Sequence, residues 1–408
     1  SEFAVDPELP GACLPDDDGH LHPFDGDHGG EIAGNDQHAG GGIMGIELGD
    51  IFRLYGDAYR LKYGAGLLPS HRQAMRAIER CRTPELGGHV YGCSNCEEVY
   101  YSYHSCRNRH CPKCQHEQTE EWLNVQRGLL LPVAYFLLTF TLPGELRKLA
   151  RENQKLIYGL LFRTSARATQ KLALDPRFVG GQIGLVGVLH TWTRAMFYHP
   201  HVHYLTPGGG MSADRKAWLP ARRIFYLPVK ALSRLFRAAF QRELKKTDLY
   251  AQVPEKVWRE PWVVHCKGVG DGQAALKYLA PYIHRVAISN GRVIAFEDGG
   301  SMEASQVTFR YRTSDTGQLR TCTLSAEHFM QRFLQHVLPR GFVKVRYTGF
   351  FGASVRERLL FLQQLLGPAV EQEPSSPVAA ASGELLCPKC GKPMRLIRTL
   401  DAVLCRSP

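Results

Sequence analysis

The sequence predicts an α+β protein that begins with a metal-binding module and continues into a larger domain of strands with flanking helices. Three observations support this prediction. The chain has 408 residues, which is too many for one ordinary domain. Six of its twelve cysteines lie between Cys81 and Cys114. Beyond them, short apolar segments typical of buried strands alternate with longer segments of helical periodicity.

The charge distribution favours a polyanion as partner. The chain carries 50 Lys and Arg against 39 Asp and Glu, which gives a net charge of +11. Residues 1–42 hold ten acidic residues and no Lys or Arg, so the rest of the chain carries +21. A body of this charge attracts nucleic acid. No apolar run approaches 18 residues and no secretory signal is recognisable, so we expect a cytoplasmic protein without a membrane span.

Composition divides the chain into four segments. Residues 1–42, which start with Ser-Glu-Phe, are expected to be disordered or left over from cloning. Residues 43–125 hold helices and the crowded cysteines. Residues 126–362 form the second domain, with a basic helical insertion at about 215–250. Residues 363–408 combine a Pro/Ser/Ala-rich linker with an incomplete zinc-ribbon-like tail, CPKCGKPM, for which we expect disorder.

Periodicity and turn residues place the individual elements. Helices are predicted at residues 46–59, 70–80, 145–174 and 273–280. The basic stretch 215–246 contains ten Lys and Arg, and its later part is amphipathic, with Leu232, Phe236 and Phe240 in one apolar stripe. Strands are predicted at 133–142, 184–190, 201–206 and 262–267. Residues 286–294 and 307–312 are predicted to pair as a β-hairpin region.

Two CxxC pairs with fourteen residues between them predict a zinc site. Each pair offers two thiolates, and two pairs complete a tetrahedral four-sulfur site, which suits zinc. We assign this site to Cys93, Cys96, Cys111 and Cys114. The remaining residues of the segment form a second hypothetical site of Cys81, His89, Cys106 and His110, with His71 and His104 as competing ligands. These residues could instead simply pack. About two structural zinc ions are therefore expected in a folding unit that contacts DNA.

A second metal site is predicted in the strand segment HPHVHY. His201 and His203 are two apart, so on a strand both imidazoles point to the same face. His190 lies at the end of the preceding predicted strand, where an antiparallel neighbour could supply a third ligand. An HxH pair on its own is more often incidental, so this hypothesis depends on what accompanies it.

Two tyrosines accompany the histidines. Tyr278 and Tyr282, in KYLAPYIHR, are four apart and share one face of a helix. Tyr55 and Tyr59 have the same spacing, and periodicity does not separate the two pairs. Pro281 lies between Tyr278 and Tyr282, and we expect it to kink the helix and offset the second tyrosine.

The motifs taken together resemble a known family. AYFLLTFTLP, HPHVHYLTPGGG and KYLAPYIHRVAISN occur in the order of the three motifs of HUH-type rolling-circle transposases. CRNRHCPKCQ is similar to the zinc segment found ahead of them in the two-tyrosine insertion-sequence branch, the IS91 type, which includes the ISCR elements. The resemblance extends from about Phe52 to about Phe351. The HTxxR…HxH run also resembles the three-histidine site of conjugative relaxases, which supports His190 as third ligand.

The resemblance implies a fold and a chemistry. It implies an antiparallel sheet with His201 and His203 on a central strand and the tyrosine helix packed across its face. It implies Mg²⁺ or Mn²⁺ at His190, His201 and His203. Tyr278 or Tyr282 would attack single-stranded DNA or extruded element ends and form a 5′-phosphotyrosine. The protein would be a bacterial, nucleoid-associated DNA strand transferase.

Basic side chains near the motifs are the expected DNA contacts. They are Arg107, Arg109, Arg222, Arg223, Lys230, Arg234, Arg237, Lys267 and Arg285. Two other functions remain open from sequence. One is a replication initiator or relaxase with the same chemistry, and the other is a zinc-dependent DNA-binding protein whose histidine site is inactive.

Overall fold

The structure is a computed structural model that describes residues 45–114, 116–222, 226–284, 287–313, 316–367 and 385–403. The α-helices are α1 (Leu48–Tyr63), α2 (Pro69–Arg80), α3 (His116–Arg127), α4 (Arg147–Glu152), α5 (Gln154–Ala173), α6 (Val229–Leu244), α7 (Gln273–His284), α8 (Ala326–Leu334) and α9 (Arg356–Leu366). The strands are β1 (Gly88–Cys93), β2 (Val99–Tyr103), β3 (Tyr135–Thr141), β4 (Leu185–Trp192), β5 (Tyr198–Pro207), β6 (Gly209–Met211), β7 (Trp218–Pro220), β8 (Val264–Gly268), β9 (Val293–Glu297), β10 (Gln306–Arg312), β11 (Leu319–Ser325), β12 (Val345–Thr348) and β13 (Met394–Leu400).

The chain forms two compact units. The zinc unit consists of the described residues up to 114 together with 288–334 and 385–403. The sheet unit consists of the described residues of 116–287 and 335–367. Two predicted boundaries are therefore wrong. Residues 288–334 were assigned to the second domain, but they belong to the zinc unit, as does the C-terminal segment.

The sheet unit is built on a five-stranded antiparallel sheet in the order β12-β4-β5-β3-β8. The strand with His201 and His203, β5, is central, as the resemblance implied. One face carries Phe140 and Val202 and is covered by α5 and α6. The apolar stripe of α6 packs here as predicted, with the rings of Phe140 and Phe236 5.1 Å apart. The opposite face carries the histidines and is covered in part by α7.

Two helices differ from their predicted limits. The helix expected over 145–174 is interrupted at Asn153, whose φ of −126° and ψ of 43° are not helical, so that α4 and α5 are separate. The helix α7 runs on through Pro281 and ends at His284, four residues later than predicted. A proline lacks the N–H of an intrahelical hydrogen bond, but neighbouring packing can hold the helix through it.

The zinc unit contains two small antiparallel sheets and three helices among its described residues. One sheet has the order β11-β10-β9, which confirms the predicted pairing of these segments. The helices α1 and α8 pack together, with the rings of Phe52 and Phe333 5.5 Å apart. The other sheet has the order β13-β1-β2. The expectation of a disordered tail is thus wrong for residues 385–403, because β13 pairs with β1 over six residue pairs.

Candidate metal centres and the tyrosine helix

Three histidines converge on one point of the sheet unit. Antiparallel pairing of β4 with β5 places His190 directly opposite His201, and the alternation of side chains along β5 puts His203 on the same face. The ring centroids lie 5.3 Å (His190–His201), 4.6 Å (His190–His203) and 4.9 Å (His201–His203) apart. One ring nitrogen from each lies within 4.8 Å of the others. This spacing suits three ligands around one cation.

The three imidazoles are buried, and burial keeps them neutral. It lowers the pKa of His201 to about 4 and the pKa values of His190 and His203 well below the usual range. Lys344 lowers the pKa of His190 further, and its ammonium lies 4.9 Å from the ring centroid of Trp192. A neutral imidazole is the form that binds a metal ion. The donor set therefore fits a divalent cation.

Neighbouring groups orient two of the rings. The Nδ1–H of His201 donates to the backbone carbonyl of His199 at 2.7 Å, which leaves Nε2 with its lone pair. His203 Nδ1 lies 2.9 Å from Oγ1 of the buried Thr139, which pairs with His203 across β3 and β5. A hydrogen bond on the second ring nitrogen is the usual way in which proteins orient a metal-binding histidine. Sequence reasoning did not single out Thr139.

The helix with the two tyrosines packs on the histidine face of the sheet. Leu276 and Leu279 of α7 are buried against Leu137 and Leu205, which alternate along their strands with the same phase as the histidines. Tyr278 and Tyr282 are both residues of this helix. Their side chains lie outside the described part of the structure. The backbone thus places both tyrosines on the element that covers the histidine centre.

The other tyrosine pair has a structural environment. Tyr55 in α1 donates a hydrogen bond to Asp298 at 2.6 Å and lies 2.6 Å from Ser305 Oγ. Tyr59 is only 2% exposed, and burial raises its pKa. Both residues belong to the zinc unit, where they pack the α1 interface. The structure thereby separates two pairs that their spacing alone could not.

Cysteines form two four-thiol clusters in the zinc unit. The first contains Cys81, Cys106, Cys111 and Cys114. Its sulfur atoms include pairs 3.3 Å (Cys81–Cys114) and 3.5 Å (Cys106–Cys114) apart. Four thiolates about 2.3 Å from a zinc ion would lie about 3.8 Å from one another in a tetrahedron. The cluster is therefore already close to the geometry of a zinc tetrathiolate.

The second cluster joins residues almost 300 positions apart. It contains Cys93, Cys96, Cys387 and Cys390. The sulfurs of Cys93 and Cys390, and those of Cys96 and Cys387, lie 3.5 Å apart. The two CxxC turns are alike, because Glu97 and Gly391 each follow the second cysteine with positive φ and donate their N–H to the carbonyl of the first.

The predicted ligand grouping is wrong for both zinc sites. Cys93 and Cys96 lie at the turn of the β1–β2 hairpin, whereas Cys81 and Cys106 flank its open end, where Gly88 pairs with Tyr103. A strand of six residues separates these ends by about 17 Å. The pair Cys93–Cys96 therefore cannot share an ion with Cys111 and Cys114, and instead meets the C-terminal CxxC.

The histidines of the second predicted zinc site are not in either cluster. The ring of His89 lies 5.0 Å from that of His104 and 3.4 Å from Thr399 Oγ1 by its Nδ1. His110 is buried, and its backbone N–H donates to Asn108 Oδ1 at 2.9 Å. The one sequence signal for the true grouping was the third CxxC, at 387–390, which matches the other two in spacing.

The expected DNA-contacting cations differ in availability. Arg107, Arg222, Lys230, Arg234 and Lys267 are exposed. Arg237 instead donates to the backbone carbonyl of Arg259 at 3.0 Å and to that of Glu260, and Arg109 is half-buried. Arg223 and Arg285 lie outside the described residues. Among the described residues, no helix has the length and apolar character needed to cross a membrane.

A basic chain with a zinc module and a buried three-histidine sheet has the composition of a DNA-processing enzyme, and comparison with known proteins specifies the class. Residues 184–358 match the family described as "Putative transposase", and residues 51–142 match the "Transposase zinc-binding domain". "Putative transposase y4qJ" of Sinorhizobium fredii (strain NBRC 101917 / NGR234) is 42% identical over 347 residues, which cover 80% of this chain and 85% of the relative.

A second relative is more distant. The "Transposase for insertion sequence element IS801" of Pseudomonas savastanoi pv. phaseolicola is 28% identical over 314 residues, which cover 73% of this chain and 74% of the relative. No solved structure matches the chain. The chain belongs to the IS91 family of insertion-sequence transposases. It is therefore a DNA-binding enzyme that cleaves and transfers DNA strands, with a zinc-binding domain.

Proposed function

We propose that this transposase nicks single-stranded DNA with a tyrosine nucleophile at the three-histidine centre and then transfers the strand through a 5′-phosphotyrosine. One observation carries the proposal: His190, His201 and His203 converge on the sheet face that the helix of Tyr278 and Tyr282 covers. Metal ligands and nucleophile would then meet on one surface, as in-line attack on a phosphodiester requires.

The covalent step balances in atoms and charge. The phenolic oxygen of Tyr278 forms a bond to the scissile phosphorus and loses its proton, while the bond from phosphorus to the 3′ oxygen breaks and that oxygen gains a proton. One phosphodiester replaces another, so the bond energy is kept. A 3′-OH of another strand can then attack the phosphotyrosine and complete the transfer.

A divalent cation held by the three imidazoles would polarise the scissile phosphate and offset the charge that develops on it. Imidazole ligands favour Mn²⁺ over Mg²⁺, while oxygen-rich sites suit Mg²⁺. The protein's own contribution is to keep the rings neutral by burial and to hold His201 and His203 by their Nδ1 atoms. A site prepared in this way needs little reorganisation when substrate arrives.

Substrate would reach the centre as a single strand, because a duplex does not expose its backbone to a buried site. Exposed cations of the sheet unit, Arg222, Lys230, Arg234 and Lys267, would follow the phosphates. Two tyrosines on one helix would act in turn, Tyr278 at the first cleavage and Tyr282 at the second. We further propose that the two four-thiol clusters each bind one structural zinc ion.

The test is to trap the covalent product. Purified protein is incubated with single-stranded DNA that carries an element end and with Mg²⁺ or Mn²⁺, and the adduct is digested and sequenced by mass spectrometry. We expect DNA on a peptide that contains Tyr278 or Tyr282. DNA on Tyr55 or Tyr59 would show that the wrong pair was chosen, and nicking without any adduct would refute tyrosine catalysis.

The same assay separates the alternatives. A replication initiator or relaxase would form the adduct as well, but it would not join the cleaved end to a target strand. An inactive zinc-dependent DNA-binding protein would bind the strand without nicking it. Membership of a transposase family favours strand transfer over both.

A further inference from the structure

The histidine stripe of β5 is longer than the HxH pair. His199, His201 and His203 alternate along the strand and therefore share one face. The rings of His199 and His201 lie 5.4 Å apart. His199 is half-buried, and it is absent from the group whose ring nitrogens converge on the metal point. The question is what a third imidazole does beside the centre.

A hydrogen bond answers the question of its protonation. The guanidinium of Arg147 donates from NH2 to Nδ1 of His199 at 2.9 Å. Arginine has five N–H donors and no acceptor, so Nδ1 must be the acceptor. The neutral ring then carries its hydrogen on Nε2. His199 is thus an N–H donor at Nε2, whereas the neighbouring His201 keeps a lone pair there because its Nδ1–H is donated to a carbonyl.

Arg147 brings a positive charge to the same place. It is the first residue of α4, which follows β3 after a short turn, and it is half-buried. The nearby acid Glu145 is engaged by Lys256 at 2.9 Å. A guanidinium and an imidazole N–H are both donors to anionic oxygen, and a phosphodiester offers two such oxygens. Neither residue is used by the chemistry proposed above.

We propose that Arg147 and His199 form an anion subsite beside the three-histidine centre, which holds a phosphate of the single-stranded substrate adjacent to the scissile one. The proposal rests on the proposed function in that the substrate is single-stranded DNA. Arg147 supplies charge, and His199 supplies a directed N–H. Together they position the strand so that the next phosphate falls at the metal point.

The first experiment measures binding without catalysis. Affinity for an oligothymidylate of about 20 nucleotides, longer than one binding site, is measured against salt concentration without added Mg²⁺ or Mn²⁺. Arg147→Ala should weaken binding roughly tenfold to hundredfold and lower the salt slope by about 0.7, the value for one lost phosphate contact on a single strand.

A matched control removes an equal charge elsewhere in the same unit. Arg177 pairs with Asp175 at 2.6 Å, beyond the far end of α5, whose 20 residues span about 30 Å. Arg177→Ala should leave the salt slope unchanged. A wild-type slope in Arg147→Ala would overturn the subsite, and an equal loss in both variants would reduce it to general charge attraction.

Two further variants test His199 without removing its bulk. His199→Gln places an amide near the Nε2 position and can keep the donor, whereas His199→Asn keeps only an acceptor near Nδ1 for Arg147. We expect near wild-type binding for His199→Gln and at least a severalfold loss for His199→Asn. Equal affinities of the two would refute the donor role, since a merely structural His199 would not distinguish them. Nicking does not enter any of these measurements, so failure of the proposed chemistry would be seen separately.

Discussion

Oγ1 of Thr139 lies 2.9 Å from Nδ1 of His203, on the strand that pairs directly with the histidine strand. This hydroxyl fixes the ring so that Nε2 faces the metal point, and hydrogen bonds of this kind support metal affinity by about 10- to 100-fold. Thr139→Val keeps the shape and removes the hydroxyl. We expect Mn²⁺ affinity, measured by calorimetry, to fall by that factor. Thr139→Ser should retain most of it, and an unchanged affinity in Thr139→Val would show that the hydroxyl does not orient the ring.

Loss of a metal ligand should separate catalysis from binding. His201→Ala removes one of three imidazoles, so nicking of single-stranded DNA should fall below detection, while affinity for the same DNA stays within about twofold because the basic surface is intact. His203→Ala should behave alike, and His190→Ala should also be severe. The control is Val202→Ala, on the opposite face of β5. Wild-type nicking by both His201→Ala and His203→Ala would disprove the assignment.

The tyrosine variants distinguish the two chemical steps. Tyr→Phe removes only the oxygen, so packing is preserved. Tyr278→Phe should abolish the first covalent adduct or reduce it at least 100-fold, and Tyr282→Phe should chiefly impair strand transfer. The double variant should be inactive with an unchanged thermal midpoint. Tyr55→Phe serves as the matched control, and an active double variant would exclude both residues as nucleophiles.

Zinc content should report the regrouped cysteines. We expect about two zinc ions in the wild type, measured by mass spectrometry of the metal. Cys387→Ser with Cys390→Ser should lower the content to about one, because only the second cluster loses ligands. Cys93→Ser should act on the same ion and should destabilise the module, since metal binding contributes to its folding. Cys266→Ser, in β8 outside both clusters, should keep two. A value of two in the Cys387/Cys390 variant would contradict the grouping.

The second zinc should hold the C-terminal segment in place after the chain is cut. A protease site introduced within residues 368–384 would release residues 385–408 as a fragment. We expect this fragment to co-elute with the rest, because β13 pairs with β1 and the four thiols bind one ion. A zinc chelator should release it. Co-elution that survives both the chelator and Cys387→Ser would show that the strand pairing suffices without metal.

The sequence by itself determined the local features. Side chains two apart on a strand share a face whatever the rest of the chain does, so His201 and His203 were predictable as a pair, and the strand and helix segments around them followed from periodicity. The order of motifs also sufficed for the family, which the comparisons confirm.

Tertiary structure alone decided which residues meet. The register of β4 against β5 places His190 opposite His201, and a shift of one residue would have turned it to the other face. The pairing of β13 with β1 brings Cys387 and Cys390 to Cys93 and Cys96, across almost 300 residues. Spacing along the chain suggested Cys111 and Cys114 instead, because CxxC pairs are alike and any two can complete a zinc site. Only the length of the β1–β2 hairpin, which holds its two ends apart, selects one grouping over the other.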